Sequence, residues 1–265
     1  MDVKWGSDGG VARAVAIGEN ACPLRAPRRM KKGSPQRPAK ERILDTGERL
    51  FAERGYYGVS LREITQDAGV DVALVSYHFG SKRDLFAAVF RRRAEILNRE
   101  RLEQLENSFR TAGSDPPSLD TIVAAFIEPL LERSARGGPG WKSYFALVAQ
   151  VNNSPEWASI LMTEHFDPLV QRFIEALQKA MPQCPPREIY WGYQFLTGAL
   201  TLTFAETGRI DKLSAGLCRS SDLDSVHNRL APFVAAGFRE LCNRATPHPG
   251  SEYRKRGKTA RKPSR

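Results

Sequence analysis

From Lys40 onward, apolar positions recur at three- and four-residue steps, the spacing of one face of an α-helix. Ile43, Leu44, Leu50 and Phe51 share a face, and Gly55 closes that first segment. The pattern then predicts two short helices, Leu61–Ala68 and about Val72–His78. Ser81 opens a long helix that runs to about Glu106. The run Thr111–Pro117 breaks the periodicity and reads as a linker. Further helices are expected near 118–135, 140–152, 155–180, 186–208 and 222–243, with Ser154 as an N-cap ahead of Pro155. Gly137-Gly138-Pro139, Pro182 and Pro185-Pro186 punctuate them. No stretch alternates as a strand does, and no internal repeat is present. The expected fold class is all-α.

The most informative local pattern begins at Ser60-Leu-Arg-Glu63. A Ser that accepts from the third residue's N–H, with a Glu that reaches back, is a capping box. Leu61, Ile64 and Ala68 form the inward face of the short helix, and Gly69 follows where a left-handed turn favours Gly. Asp71 is placed to cap the next helix, in which Val75 and Phe79 face inward while Val72, Ala73, Ser76 and Tyr77 lie on other faces. Ser81 and Asp84 make a second capping pair. Two short helices joined by a tight Gly turn are a helix-turn-helix.

The run Ala68-Gly69-Val70, Tyr77-His78-Phe79-Gly80-Ser81-Lys82 and Leu85 resembles the DNA-binding domain of the TetR family. The preceding helix, Ile43-Leu44-Asp45 through Leu50-Phe51-Ala52-Glu53-Arg54-Gly55-Tyr56, does so too. The match covers about residues 40–86. The resemblance implies an N-terminal three-helix helix-turn-helix domain (40–86) and a larger C-terminal helical domain for effector binding and dimerisation (87–243). It implies a double-stranded DNA partner, with a palindromic operator read by a homodimer. Ser60 and Arg62 would touch backbone or a base edge, Tyr77, His78 and Lys82 would hold phosphates, and Val72, Ala73 and Ser76 would face the major groove. Ser76 stands where the family commonly has tyrosine, and Asp71 where it has Ser or Thr. Each side chain also has a plainer reading: Tyr77 packed on the first helix, His78 as a cap, Arg62 as a solvated charge.

Two apolar stripes mark the C-terminal half. One is Ile189, Tyr193, Leu196, Leu200 and Phe204; the other is Leu223, Val226, Leu230, Phe233, Gly237 and Leu241. They are expected either to form a four-helix dimer interface, as the resemblance implies, or to be intrachain core. Phe126, Trp141, Tyr144, Phe145, Trp157, Phe166, Phe173 and Trp191 are aromatics of a region that surrounds an effector cavity in TetR-like regulators; the alternative is a filled core. A further similarity, to the PsrA-like subgroup, lies in Val75–Lys82, Phe126–Pro129, Trp141–Gln150 and Phe166–Pro168. That subgroup responds to long-chain fatty acids. The similarity implies an apolar small-molecule effector entering between the helices of 118–208, with Arg133, Arg172 or His165 at its headgroup.

Charge changes this picture little. The net +10 resides in the ends: residues 1–40 carry +6 and 244–265 carry +7, leaving −3 between them. The tails 1–39 and 244–265 are expected to be disordered, and either solvated or attracted to DNA. A start of translation at Met30 is a further expectation. Apolar stretches fall short of a membrane span, and the N-terminus lacks a signal-peptide layout, so a cytoplasmic, DNA-associated protein with no membrane partner is expected. Cys22, Cys184, Cys218 and Cys242 have no C-x-x-C spacing and no His cluster nearby. Unpaired thiols, with no metal site, cofactor or disulfide framework, are expected. No nucleophile elbow, phosphate loop or H-E-x-x-H is present. A catalytic cluster at Glu164, His165 and Asp167 and an effector-free architectural DNA-binding factor remain as competing readings.

Overall fold

The computed structural model describes residues 37–245. The expectations about the basic tails and Met30 fall largely on residues outside that range. Every regular element among the described residues is helical.

Helix α1 spans Ala39–Arg54, and its buried face is the expected one, Ile43, Leu44, Leu50 and Phe51. Helices α2 (Leu61–Ala68) and α3 (Val72–His78) follow. Both pack on α1 through Ile64 and Val75, which are fully buried. Helix α4 runs from Lys82 to Ala112, a turn and a half beyond the expected end. It is the spine of the molecule: Phe90, Ala94, Leu97, Arg101 and Leu105 face inward along it. Around it lie α5 (Leu119–Arg136), α6 (Pro139–Asn152) and α8 (Thr163–Ala180).

The single helix expected over 155–180 is divided. A turn of α7 (Pro155–Trp157), capped by Ser154, leads into a π-helical stretch, Ala158–Met162, and then into α8. A π-turn admits one extra residue per turn and often marks a functional site. Helix α9 (Pro186–Phe204) ends before the expected boundary, and a short α10 (Arg209–Leu213) follows. Helix α11 (Leu223–Ala245) packs on α5 and α9. A Cβ at Gly192 would lie 2.3 Å from the Phe238 ring, so only glycine lets α9 and α11 approach this closely.

The cysteine expectation is corrected. Cys184, in the loop between α8 and α9, is disulfide-bonded to Cys242 near the end of α11, with Cα atoms 4.9 Å apart. The partners are 58 residues apart, and the packing of α11 beside that loop brings them together. Spacing along the chain carries no information about such a pair. Cys218 is free and exposed.

Candidate nucleic-acid interface and cavity

The helix-turn-helix is held by its caps. Ser60 Oγ accepts from Glu63 N at 3.2 Å, and Glu63 Oε2 accepts from Ser60 N at 2.7 Å. The Ser60 hydroxyl and then the Ser60 N–H, both donating to Glu63 Oε2, hold the Glu63 carboxyl below the usual carboxylate range. The Ser60 hydroxyl is thereby occupied both as donor and as acceptor. Gly69 sits at φ 62°, ψ 43°, the left-handed turn that aims α3 away from α2. Asp71 Oδ1 accepts from Ala73 N at 2.7 Å, so its charge is spent on the cap of α3. Ser81 and Asp84 repeat the capping box at the start of α4, and the Ser81 bonds lower the Asp84 carboxyl pKa.

With its inward residues anchored, α3 presents the rest to solvent. Val72, Ala73 and Ser76 are exposed, and Tyr77 is 81% exposed with its ring 4.9 Å from that of His78. Tyr77 therefore does not pack on the first helix. Arg62 is exposed, and its side chain makes no ion pair or hydrogen bond among the described residues. Lys82 is half-buried, with Nζ 4.4 Å from the Tyr56 ring centroid; burial lowers its pKa, and Glu63 opposes that.

This unit is firmly seated on the rest of the protein. Trp157 packs between the rings of Tyr56 (4.7 Å) and Phe86 (4.8 Å). Tyr57 donates to Glu156 at 2.8 Å, and Gln150 donates to the Ala52 carbonyl at 2.8 Å. Buried Glu48 of α1 accepts from Arg93 Nε at 2.7 Å and from Arg92. Arg93 and Arg133 both lie 5.0 Å from the centroid of Trp141, and Arg133 pairs with Glu100.

An interior cavity of about 50 Å³ lies among α4, α5, α6, α8 and α9. Phe126, Phe145 and Phe166, expected as effector contacts, line it. The others do not. Trp141 and Trp157 are buried in the contacts just described. Trp191 is 52% exposed on the outer face of α9. Arg172 is an exposed partner of Glu175, and His165 lies in a groove with Glu95, Glu103, Glu106 and Glu164. The sequence reading missed Arg101, which lines the cavity and is only 4% exposed. Its signal was present: a cation in the apolar stripe Phe90–Ala94–Leu97–Arg101–Leu105.

The interface stripes also need correction. Ile189, Leu196, Leu200 and Leu230 are buried within the protomer, and Tyr193 and Leu200 line the cavity. Leu223, Val226 and Leu241 are half-buried. Only Phe233 and Gly237 of those named face outward. The outward apolar face of α9 is Trp191, Phe195, Gly198 and Leu202, with Trp191 and Phe195 stacked at 5.9 Å. On α9 the outward face is offset from the named stripe by two residues, about half a turn, and periodicity alone did not say which one meets solvent.

A capped helix-turn-helix with an exposed recognition helix, borne on a helical body with an internal cavity, defines a DNA-binding regulator. The chain belongs to the TetR family of transcriptional regulators. Residues 43–89 match the bacterial regulatory proteins of the tetR family, and residues 124–237 match a tetracyclin repressor-like C-terminal domain. The chain is 28% identical over 103 residues to the HTH-type transcriptional activator FasR of Mycolicibacterium smegmatis, covering 39% of this chain and 45% of that protein. It is 32% identical over 71 residues to the transcriptional repressor AcnR of Corynebacterium glutamicum, covering 25% and 38%. The chain thus spans less than half of either relative. In fold it is similar to the fatty acid degradation regulator FadR of Bacillus halodurans, with a TM-score of 0.55 at 13% identity over 79% of this chain and 99% of that one. The family is one of regulators, and the reading of Glu164, His165 and Asp167 as a catalytic cluster falls with it. No described helix is long and apolar enough to cross a membrane.

Proposed function

We propose that the protein is a homodimeric repressor that binds a palindromic operator and is released by a small apolar or amphipathic effector. The observation that carries this reading is the single unbroken helix α4. Its capped start adjoins the recognition helix, and about four to five turns later Leu97 and Arg101 line the cavity. Whatever moves α4 at the cavity moves its other end at the DNA. The effector acts by favouring the arrangement whose recognition helices are misplaced for the operator.

Phosphates are held by Tyr77, His78 and Lys82, together with the N-terminus of α4. Val72, Ala73 and Ser76 meet the major groove. None of these three is a long polar reader, so discrimination falls to Arg62 and to DNA shape. The dimer forms through the outward face of α9 and α11: Trp191, Phe195, Gly198, Leu202, Phe233 and Gly237. An apolar face of this extent has the character of an interface, and the two glycines admit close helix approach.

The test is genome-wide mapping of a tagged copy in its native host, with transcript levels in a deletion strain. The expected result is occupancy at one or a few promoters carrying an inverted repeat, with half-sites about one DNA turn or a multiple apart, and a rise in their transcripts on deletion. Scattered occupancy without a motif would replace this reading with an architectural factor. A fall in transcripts would make the protein an activator.

A further inference from the structure

Two charged side chains are deeply buried among the described residues, Glu48 and Arg101. Glu48 is satisfied by two arginines. Arg101 has no carboxylate within 4.0 Å among the described residues. Its Nε donates to the Phe126 carbonyl at 2.9 Å, and its guanidinium lies 3.8 Å from the Phe126 ring centroid. A guanidinium carries five N–H donors, and the other four meet no acceptor among the described residues. Burial lowers its pKa to about 10, so the group stays charged at neutral pH. A buried charge without a counter-charge is among the most costly placements in a protein.

A second orphan stands beside the same cavity. Tyr144 is fully buried and its hydroxyl has no hydrogen-bond partner among the described residues. Tyr144 and Tyr193, both lining the cavity, are the ionisable side chains that feel the charge of Arg101. Apart from this polar corner the wall is chiefly apolar.

We propose that Arg101 and Tyr144 form the headgroup site of the effector cavity, and that the ligand is an organic carboxylate with an apolar body. The inference rests on the effector reading above. A carboxylate has two oxygens that only accept, and the guanidinium fork can meet both while a phenol supplies a third donor. A neutral ligand leaves Arg101 without a counter-charge, and a cation is repelled. The cations expected from the sequence are poorly placed to take the headgroup. Arg133 and Arg172 are paired with glutamates, and His165 shares its groove with four. A cavity of about 50 Å³ admits a headgroup but falls far short of the roughly 300 Å³ or more of a drug-sized site. The apolar body must therefore part Phe126, Phe145 and Phe166 from Leu97 of α4, which ties binding to movement of the spine.

Calorimetric titration of the full chain tests this. A ten-carbon chain and a naphthyl ring are each presented as carboxylate, primary alcohol and primary amine. The carboxylate should bind at least tenfold more tightly than its alcohol, and the amine most weakly. Arg101→Gln should weaken the carboxylate about 10- to 100-fold and leave the alcohol unchanged. Should Arg101→Gln fail to fold, Tyr144→Phe serves. It removes an orphan hydroxyl, so its melting temperature should hold or rise while carboxylate affinity falls about threefold to tenfold. Equal binding of carboxylate and alcohol, with Tyr144→Phe unchanged, would overturn the headgroup site and leave the effector cavity standing. Binding of no member of the panel would overturn both.

Discussion

At the scale of the residue, the side chains proposed to face DNA divide by what their loss should do. Tyr77 is exposed and holds nothing in the fold, so Tyr77→Ala should change stability by less than about 0.5 kcal/mol. It should weaken operator and random duplex alike, by about tenfold, because a phosphate contact carries no sequence code. Arg62→Ala should instead lower the ratio of operator to random affinity, by about 1–3 kcal/mol if it makes a bidentate base contact. Fluorescence anisotropy on the two duplexes reads both, and an unchanged ratio would remove Arg62 from readout. Glu63 adds a pH dependence. Its folded pKa is depressed by the Ser60 hydrogen bonds, so its stabilisation is present above the unfolded carboxylate pKa and lost as pH falls through the folded value. Glu63→Gln can keep the cap but not the titration. The gap in melting temperature between wild type and Glu63→Gln should close as the pH is lowered from neutrality to about 3. A gap that stays constant would mean the charge of Glu63 is immaterial.

At the scale of the element, the junction between α1 and α4 is built on charge as well as packing. Arg92 reaches Asp45 at 2.8 Å as well as Glu48, while Arg93 reaches from Glu48 to the Trp141 ring. Removing the charge of Glu48 leaves two arginines short of a partner. Glu48→Gln should therefore cost about 3 kcal/mol in urea denaturation. A loss below about 1 kcal/mol would show that Asp45 and Glu41, whose Oε2 lies 3.6 Å from Arg92 Nη1, hold Arg92 by themselves. The elements differed in how plainly the chain announced them. Ser60, Gly69, Asp71 and Ser81 are local signals acting over three or four residues, and the helix ends they set stand where they were expected. The π-helical stretch at Ala158–Met162 had no such signal. Met162 at its end lines the cavity.

At the scale of the whole molecule, the outward face of α9 and α11 is the feature with consequences for assembly. Phe195 and Phe233 are 59% and 70% exposed, so a charge at either position costs the protomer little. Phe195→Glu combined with Phe233→Glu should keep the helical content and convert the proposed dimer to a monomer in sedimentation. Operator affinity should fall at least 100-fold, because one half-site is then bound at a time. A double variant that stays dimeric would move the interface elsewhere.

The all-α class, the caps and turn of the helix-turn-helix, and the family were legible in the chain alone, because each rests on residues within a few positions of one another. So was the region that holds Phe126, Phe145 and Phe166. Tertiary packing settled the rest: which face of α9 and α11 meets solvent, that Trp141 and Trp157 brace the DNA-binding unit, that Cys184 joins Cys242, and that Arg101 is the cation turned inward. Those four depend on how helices far apart in the chain are packed against one another. Periodicity gives a helix its faces, and the neighbours assign them.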